Sequence, residues 1–170
     1  MSSRRHFVKQ TTLVGVGLSI LPKVSFGSVI GGTNQKLKLA IIGVGLRGCN
    51  HLNNVLLRKD IDVTAICDVD PNRIKIALKM IQDSGFTKPK VFGNSDYDYR
   101  NLLELKEVDA VIIATPWLWH TRMAVDAMKA GKYTGLEVSA ANTMEECWDL
   151  VNTHEPVSYT HLTLPTIYSV

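Results

Sequence analysis

Apolar and polar positions alternate along this chain in two ways. Continuous apolar runs at residues 37–42, 63–67 and 109–114 predict strands that are buried on both faces of a sheet. Each run is followed by a segment in which apolar residues recur at helical spacing. This order predicts an α/β fold, a doubly wound parallel sheet with its ligand crevice at the carboxyl ends of the strands.

Capping residues mark where the predicted helices begin and end. Asp70 followed by Pro71 predicts the start of the second helix, and Gly85 predicts its end. Thr143 with Glu146 has the spacing of a capping box and predicts the start of the last helix. The predicted helices are at about 45–58, 71–84, 98–105 and 119–130 and from 143 onward, with two short strands at 90–92 and 132–136.

A glycine motif, Gly43-x-Gly45-x-x-Gly48, joins the first strand to the first helix. Its glycines permit a tight turn, a close approach of the backbone to a pyrophosphate, and close packing of helix on strand, while the helix N-terminus offers N–H groups to the anion. The second strand ends at Asp68, twenty residues after Gly48. A carboxylate there can accept hydrogen bonds from an adenosine ribose, so the spacing predicts a dinucleotide site.

Asp68 also bears on the choice of dinucleotide. Its carboxylate would repel the 2′-phosphate of NADP, and no arginine follows directly to receive that phosphate, since Val69, Asp70 and Pro71 come next. The sequence therefore predicts NAD as the cofactor.

The charge of the chain is unevenly distributed. The formal net charge is +3, but residues 1–27 hold four basic residues and no acidic one, which leaves 15 basic and 16 acidic residues in the rest. That remainder has no basic stripe interleaved with aromatic residues, so we expect no nucleic-acid partner.

Residues 1–27 have the pattern of a twin-arginine signal peptide. Arg4 and Arg5 precede a modestly apolar run at 13–21 and a small-residue cleavage site at 25–27. The run is too short for a membrane-spanning helix, so we expect no stable membrane insertion. The prediction is export by the twin-arginine machinery to the periplasm or cell envelope; the alternative is a disordered basic tail.

The remaining sequence divides into three parts. Residues 28–36 are predicted to be a polar linker and residues 37–155 a nucleotide-binding domain. Residues 156–170 follow neither helical nor strand periodicity, and 157–166 match the translation of a transposase-end sequencing adapter. We expect an artefactual tail and a missing substrate domain; the alternative is a genuine loop and strand.

Cysteine and histidine usage predicts no metal site. Cys49, Cys67 and Cys147 are far apart, and we expect them to be buried free thiols. His51, on the first predicted helix, is expected to face solvent rather than to bind a ligand.

Further segments resemble the Gfo/Idh/MocA oxidoreductase-like family over about residues 37–155. Besides the glycines and Asp68, the resemblance is carried by Asp98-Tyr99-Arg100-x-Leu102-Leu103, Ala114-Thr115-Pro116 and His120. Within that family the chain is similar to glycoside hydrolase family 109 in its leader and in Gly45-Leu46-Arg47-Gly48, Trp117-Leu118-Trp119-His120 and Leu136-Glu137-Val138.

The resemblance implies cofactor contacts at the matched positions. Leu46 and Arg47 would lie at the pyrophosphate turn, and Glu137 and Val138 near the nicotinamide. Four residues would form a wall of the crevice after the fourth strand: Trp117, Leu118, Trp119 and His120. Two alternatives stay open, namely that the tryptophans only pack under a loop and that His120 only orients the turn.

One departure from the wider family concerns the fifth strand. Sugar dehydrogenases of the family carry Glu-Lys-Pro there, and the lysine assists proton transfer. Here Val138 and Ser139 follow Glu137, so that lysine is missing. The departure favours the glycosidase branch, with catalytic acid–base residues that are unknown and expected in the missing domain.

The resemblance implies an NAD-dependent α-N-acetylgalactosaminidase. NAD would oxidise the sugar at C3, the C1 substituent would leave as C2 loses a proton, water would add, and the hydride would return. The alternatives are an exported NAD-dependent sugar or polyol dehydrogenase and a non-catalytic NAD-binding partner domain. A homo-oligomer stays open, and we expect the 170-residue chain alone to be inactive.

Overall fold

Five parallel strands form one sheet in the computed structural model of the chain, which describes residues 36–155. Their order across the sheet is β3-β2-β1-β4-β5, so β1 is central and the order reverses between β1 and β4. The strands are β1 (Leu37–Ile42), β2 (Ile61–Cys67), β3 (Lys90–Phe92), β4 (Ala110–Ile113) and β5 (Tyr133–Leu136). The predicted fold class is confirmed: this is a Rossmann fold, with its switch point between β1 and β4.

A helix follows each strand, and the first four helices connect consecutive strands. They are α1 (Leu46–Leu56), α2 (Pro71–Asp83), α3 (Tyr99–Leu103), α4 (Trp117–Lys129) and α5 (Met144–His154). Every predicted element is present, and the main difference is that α4 begins at Trp117 and not near Trp119. The first turn of a helix contributes few buried residues, so a prediction from hydrophobic periodicity places the start of the helix too far along the chain.

The apolar runs of the strands are continuous because both faces of the sheet are covered. Leu39 and Ile41 of β1 pack in one buried cluster with α1 and α2. Ala40 and Ile42, their neighbours in sequence, pack in a second cluster with α3 and α4. Successive side chains of a strand point to opposite faces, so a strand between two helical layers needs apolar residues at every position.

The predicted caps are present at both helices. The Asp70 carboxylate accepts a hydrogen bond of 2.8 Å from the backbone N–H of Asn72. At α5 the Thr143 hydroxyl accepts from the N–H of Glu146, and the Glu146 carboxylate accepts from the N–H of Thr143. Both helices therefore begin where the sequence predicts.

Helix α5 differs from the other long helices because none of its residues is buried. Its apolar stripe is exposed and consists of Met144, Cys147, Trp148 and Val151. The prediction of buried thiols is therefore wrong for Cys147, while Cys67 is buried and Cys49 is half-buried. Burial raises the pKa of the Cys67 thiol to about 12.

Several predictions concern residues outside the described range. The export signal at 1–27, the linker as far as residue 35 and the tail at 156–170 all lie outside it. Within residues 36–155, no helix is both long enough and apolar enough to cross a membrane.

Candidate cofactor site

At two glycines of the turn between β1 and α1, the neighbouring backbone leaves no space for a Cβ atom. Gly43 has φ +87°, and a Cβ there would lie 2.8 Å from the carbonyl oxygen of Ala114. A Cβ at Gly48 would lie only 1.9 Å from the carbonyl oxygen of Gly43, so α1 packs on the turn only with glycine at this position. At Gly45, by contrast, a Cβ would meet no protein atom within 4 Å. The open space in front of Gly45, at the N-terminus of α1, fits a pyrophosphate.

Asp68, at the carboxyl end of β2, is bonded to this turn. Its Oδ2 accepts a hydrogen bond of 2.7 Å from the N–H of Val44, and its Oδ1 accepts one of 2.9 Å from the N–H of Asp70. An ionised carboxylate has about four lone-pair sites. Both oxygens therefore keep acceptor capacity for ribose hydroxyls while they hold the turn in place.

A cavity of about 300 Å³ opens at the carboxyl ends of β1, β2 and β4. This is the position at which doubly wound folds bind their ligands, and the volume lies within the range of small-molecule pockets. The cavity is lined by four of the predicted cofactor residues, which are Gly43, Gly45, Asp68 and Trp119.

Other lining residues were not predicted from the sequence. They include Arg73, Ser95, Asp96 and Met123. Arg73 lies in the first turn of α2, beside the end of β2 that carries Asp68. The signal was available, because the first turn of each helix in this fold stands at the carboxyl edge of the sheet.

The residues predicted to form an aromatic wall of the crevice lie in different environments in the structure. Trp119 is half-buried, lines the cavity and packs edge-on against Tyr97, with ring centroids 5.5 Å apart. Trp117 and Leu118 are exposed, at 64% and 79%, and are not among the residues that line this cavity. Trp119 thus combines packing with a place in the cavity wall, and Trp117 is not a packing residue within residues 36–155.

His120 is fully buried and contacts two backbone carbonyls. Its Nε2 lies 2.8 Å from the Thr115 oxygen, and its Nδ1 lies 2.7 Å from the Ser139 oxygen. The ring therefore joins the turn before α4 to the segment after β5. It is not among the residues that line the cavity, and this geometry supports the alternative in which His120 orients the turn.

Glu137 follows β5 and is bonded to two residues of α1. Its Oε1 accepts a hydrogen bond of 2.7 Å from Arg47 Nη2 and lies 2.5 Å from His51 Nε2. Burial works to raise the pKa of Glu137, but the hydrogen bonds from His51 and Arg47 outweigh it and hold that pKa below its usual value. The His51 side chain is 31% exposed, so it is partly solvated as predicted, but it also contacts Glu137 at the end of β5, which the sequence did not predict.

The remaining predicted positions lie at the surface around this cluster. Leu46 and Val138 are both exposed, at the start of α1 and after β5. Residues 36–155 contain no group of three or more histidine, cysteine or acidic side chains placed to hold a metal ion. The described residues thus form a nucleotide cavity with a charged cluster beside it.

The comparisons with known proteins assign the family. The model of an oxidoreductase family with an NAD-binding Rossmann fold, Gfo/Idh/MocA, matches residues 37–159. The chain belongs to the Gfo/Idh/MocA family. NAD is the cofactor of this domain, and the glycine clearances, Asp68 and the cavity fit it.

Curated relatives carry more specific names. A glycosyl hydrolase family 109 protein of Parabacteroides distasonis is 40% identical over 167 residues, which is 91% of this chain and 36% of the relative. An α-N-acetylgalactosaminidase of Tannerella forsythia is 39% identical over 170 residues, again 91% of this chain and 36% of the relative. The Gfo/Idh/MocA chain described here thus spans about a third of the length of these relatives.

Solved structures share the fold. Myo-inositol 2-dehydrogenase from Lactobacillus plantarum matches with a TM-score of 0.62 at 23% identity, over 72% of this chain and 34% of that one. Scyllo-inositol dehydrogenase from Lactobacillus casei, solved with bound NAD(H) and scyllo-inositol, matches with a TM-score of 0.62 at 21% identity and similar coverage, 72% and 34%. At these identities the likeness supports the Rossmann architecture alone.

Proposed function

We propose that this chain is the NAD-binding part of a glycosidase that hydrolyses α-N-acetylgalactosaminides. The observation that carries the proposal is the 39% identity, over 91% of the chain, to the α-N-acetylgalactosaminidase of Tannerella forsythia. The residues after β5 agree with it. Val138 and Ser139 follow Glu137, so the lysine that assists proton transfer in the sugar dehydrogenases this chain resembles is missing.

The work of the described residues is to bind and orient the cofactor. Asp68 accepts hydrogen bonds from the adenosine ribose, and the turn at Gly45 with the N-terminus of α1 receives the pyrophosphate. Trp119 forms one wall of the cavity. These contacts would hold the adenosine half and the pyrophosphate of the dinucleotide at the carboxyl edge of the sheet.

Bound NAD supplies reversible hydride exchange at C3 of the sugar, which makes the C2 proton acidic enough for the C1 substituent to be eliminated. The reaction is redox-neutral over a whole turnover, so no external oxidant is consumed. The acid–base groups belong to the rest of the full-length protein. In this proposal residues 36–155 contribute cofactor binding and orientation.

The test is hydrolysis of an aryl α-N-acetylgalactosaminide by the full-length protein in D₂O, without added NAD. We expect many turnovers per bound NAD and a product that carries deuterium at C2, because the C2 proton exchanges with solvent during elimination. A Gly45→Ala variant is the control, since it should lower activity through cofactor binding.

Other outcomes would overturn the proposal. Product formation limited to one equivalent per NAD contradicts the redox-neutral turnover, and a product without deuterium at C2 contradicts the elimination step. Steady release of NADH from a free sugar would establish a sugar or polyol dehydrogenase instead. Bound NAD without turnover on any sugar would indicate a non-catalytic partner domain.

We also propose export by the twin-arginine route. Arg4 and Arg5 precede an apolar run that is too short to span a membrane. An Arg4→Lys, Arg5→Lys double variant should remain in the cytoplasm, while the parent chain is recovered from the periplasm on cell fractionation. Equal distribution of the two proteins would contradict this route.

A further inference from the structure

The charged cluster beside the cavity joins two distant parts of the chain. Arg47 and His51 are four residues apart on α1, so their side chains share one face of the helix. Both reach the carboxylate of Glu137, which is 90 and 86 residues away in sequence. The cluster therefore bonds the first helix of the fold to the end of the last strand.

Both donors meet the same oxygen of that carboxylate. Arg47 and His51 contact Oε1, whereas Oε2 accepts only a longer bond of 3.2 Å from the N–H of Val138 within the described residues. The Glu137 side chain is 14% exposed, and the two donors hold it as a carboxylate. Oε2 is thus an oriented acceptor with unused lone-pair capacity.

The position of Glu137 in the sheet indicates which part of NAD it can reach. Asp68, the ribose acceptor for the adenosine half, ends β2 on one side of the switch point. Glu137 follows β5 on the other side, and its N–H continues the ladder to the Ile113 oxygen of β4. A dinucleotide lies across the crevice at the switch point, so its second nucleoside extends toward the β4–β5 side.

We propose that His51 is a positioning residue for the nicotinamide half of NAD. Together with Arg47 it holds Glu137 so that Oε2 accepts a hydrogen bond from a hydroxyl of the nicotinamide ribose. The inference rests on NAD binding by this domain and not on the sugar reaction. It assigns a role to a residue of α1 that lies outside the glycine motif.

Fragments of the cofactor separate this role from support of the fold. AMP contains only the adenosine half, whereas ADP-ribose and NAD both contain the second ribose. The variants are His51→Ala, which removes the donor, and His51→Gln, which keeps an N–H donor at similar reach. Asn53→Ala is the matched control, because Asn53 is an exposed residue of the same helix.

Calorimetry on the 170-residue chain gives the decisive comparison. We expect His51→Ala to weaken NAD and ADP-ribose by about tenfold, the scale of one charge-assisted hydrogen bond, and to leave AMP unchanged. His51→Gln should restore most of the loss, and Asn53→Ala should bind all three ligands like the parent.

Three results would overturn the inference. An equal loss for AMP and NAD would mean that His51 only supports the fold, and unchanged NAD affinity would mean that it has no role in binding. A His51→Gln variant as weak as His51→Ala would exclude the hydrogen bond as the cause. None of these results depends on glycosidase activity, so a failure of the inference about His51 can be distinguished from a failure of the proposed function.

Discussion

The Asp68 carboxylate supports the fold and is also the predicted ribose acceptor. The sequence predicts the ribose contact from spacing alone. The structure adds that both carboxylate oxygens accept backbone hydrogen bonds, from Val44 and from Asp70. The residue predicted to bind the ribose therefore also holds the glycine turn in place.

Replacing Asp68 by alanine should weaken NAD binding by about 1–3 kcal/mol, because a charge-assisted hydrogen bond is lost. NADP binding should fall less or rise, since the repulsion of its 2′-phosphate disappears and Arg73 lines the same cavity. Isothermal titration with both cofactors measures the two effects. Adding Arg73→Ala to the Asp68→Ala variant should remove any gain in NADP affinity. Unchanged NAD affinity in the Asp68→Ala variant would show that Asp68 is not at the ribose.

Gly45 and Gly48 form a matched pair, since both lie in the motif but differ in clearance. Gly48→Ala should lower the free energy of unfolding by about 3 kcal/mol, because its Cβ meets a backbone oxygen that cannot turn away. Gly45→Ala should cost less than about 1 kcal/mol in stability, the scale of a changed N-cap residue, yet weaken NAD by filling the space for the pyrophosphate. Urea unfolding and calorimetry separate the two. Equal stability losses would contradict the assignment of roles.

At the scale of elements, hydrogen bonds from Arg47 and His51 to Glu137 join α1 to the end of β5. The stability that these hydrogen bonds contribute depends on pH. The pKa of Glu137 is lowered in the folded protein from an ordinary value of 4.5. Its contribution to stability is therefore fully present above about pH 4.5, and it is lost as the pH falls through the lowered pKa of the folded state.

The difference in the free energy of unfolding between the parent chain and Glu137→Gln should be largest at neutral pH. It should shrink below pH 4.5, because the parent carboxylate becomes neutral there and loses its charge-assisted bonds to Arg47 and His51. Denaturant titrations at a series of pH values measure this difference. A difference that stays constant to acid pH would mean that the carboxylate is not bonded as described.

At the scale of the whole molecule, the exposed stripe of α5 stands out, and it includes Met144, Trp148 and Val151. The chain spans about 36% of the length of its glycosyl hydrolase family 109 relative from Parabacteroides distasonis. We expect the stripe to be covered by further protein in a full-length enzyme, since exposed apolar patches mark interfaces.

The 170-residue chain should accordingly bind a hydrophobic dye. Trp148→Gln should reduce that binding and change the thermal midpoint little, because Trp148 is 58% exposed within residues 36–155. Leu52→Gln, at a buried position of α1, is the contrasting variant and should lower the midpoint markedly. A lower midpoint for Trp148→Gln would mean that the stripe is already packed.

The 170-residue chain should bind NAD weakly and hydrolyse no glycoside.

Local sequence patterns predict the strands and helices that the structure contains, whereas the ribose contact of Asp68 stays a prediction. Strand runs, the glycine motif, Asp68 and the helix caps are local patterns, and each depends on residues that are close along the chain. These predictions reach the right strands and the right helices because local sterics and periodicity govern them.

Which side chains meet at the carboxyl edge of the sheet depends on the packing of distant parts of the chain. Arg73 in the cavity, His120 against the Ser139 oxygen, and His51 against Glu137 all depend on how helices are rotated over the sheet. Periodicity assigned His51 to a solvent face because it counts residues around one helix and carries no information on what stands beside it. The meeting of α1 with the end of β5 follows from the strand order, which brings residues nearly ninety positions apart into hydrogen-bond distance.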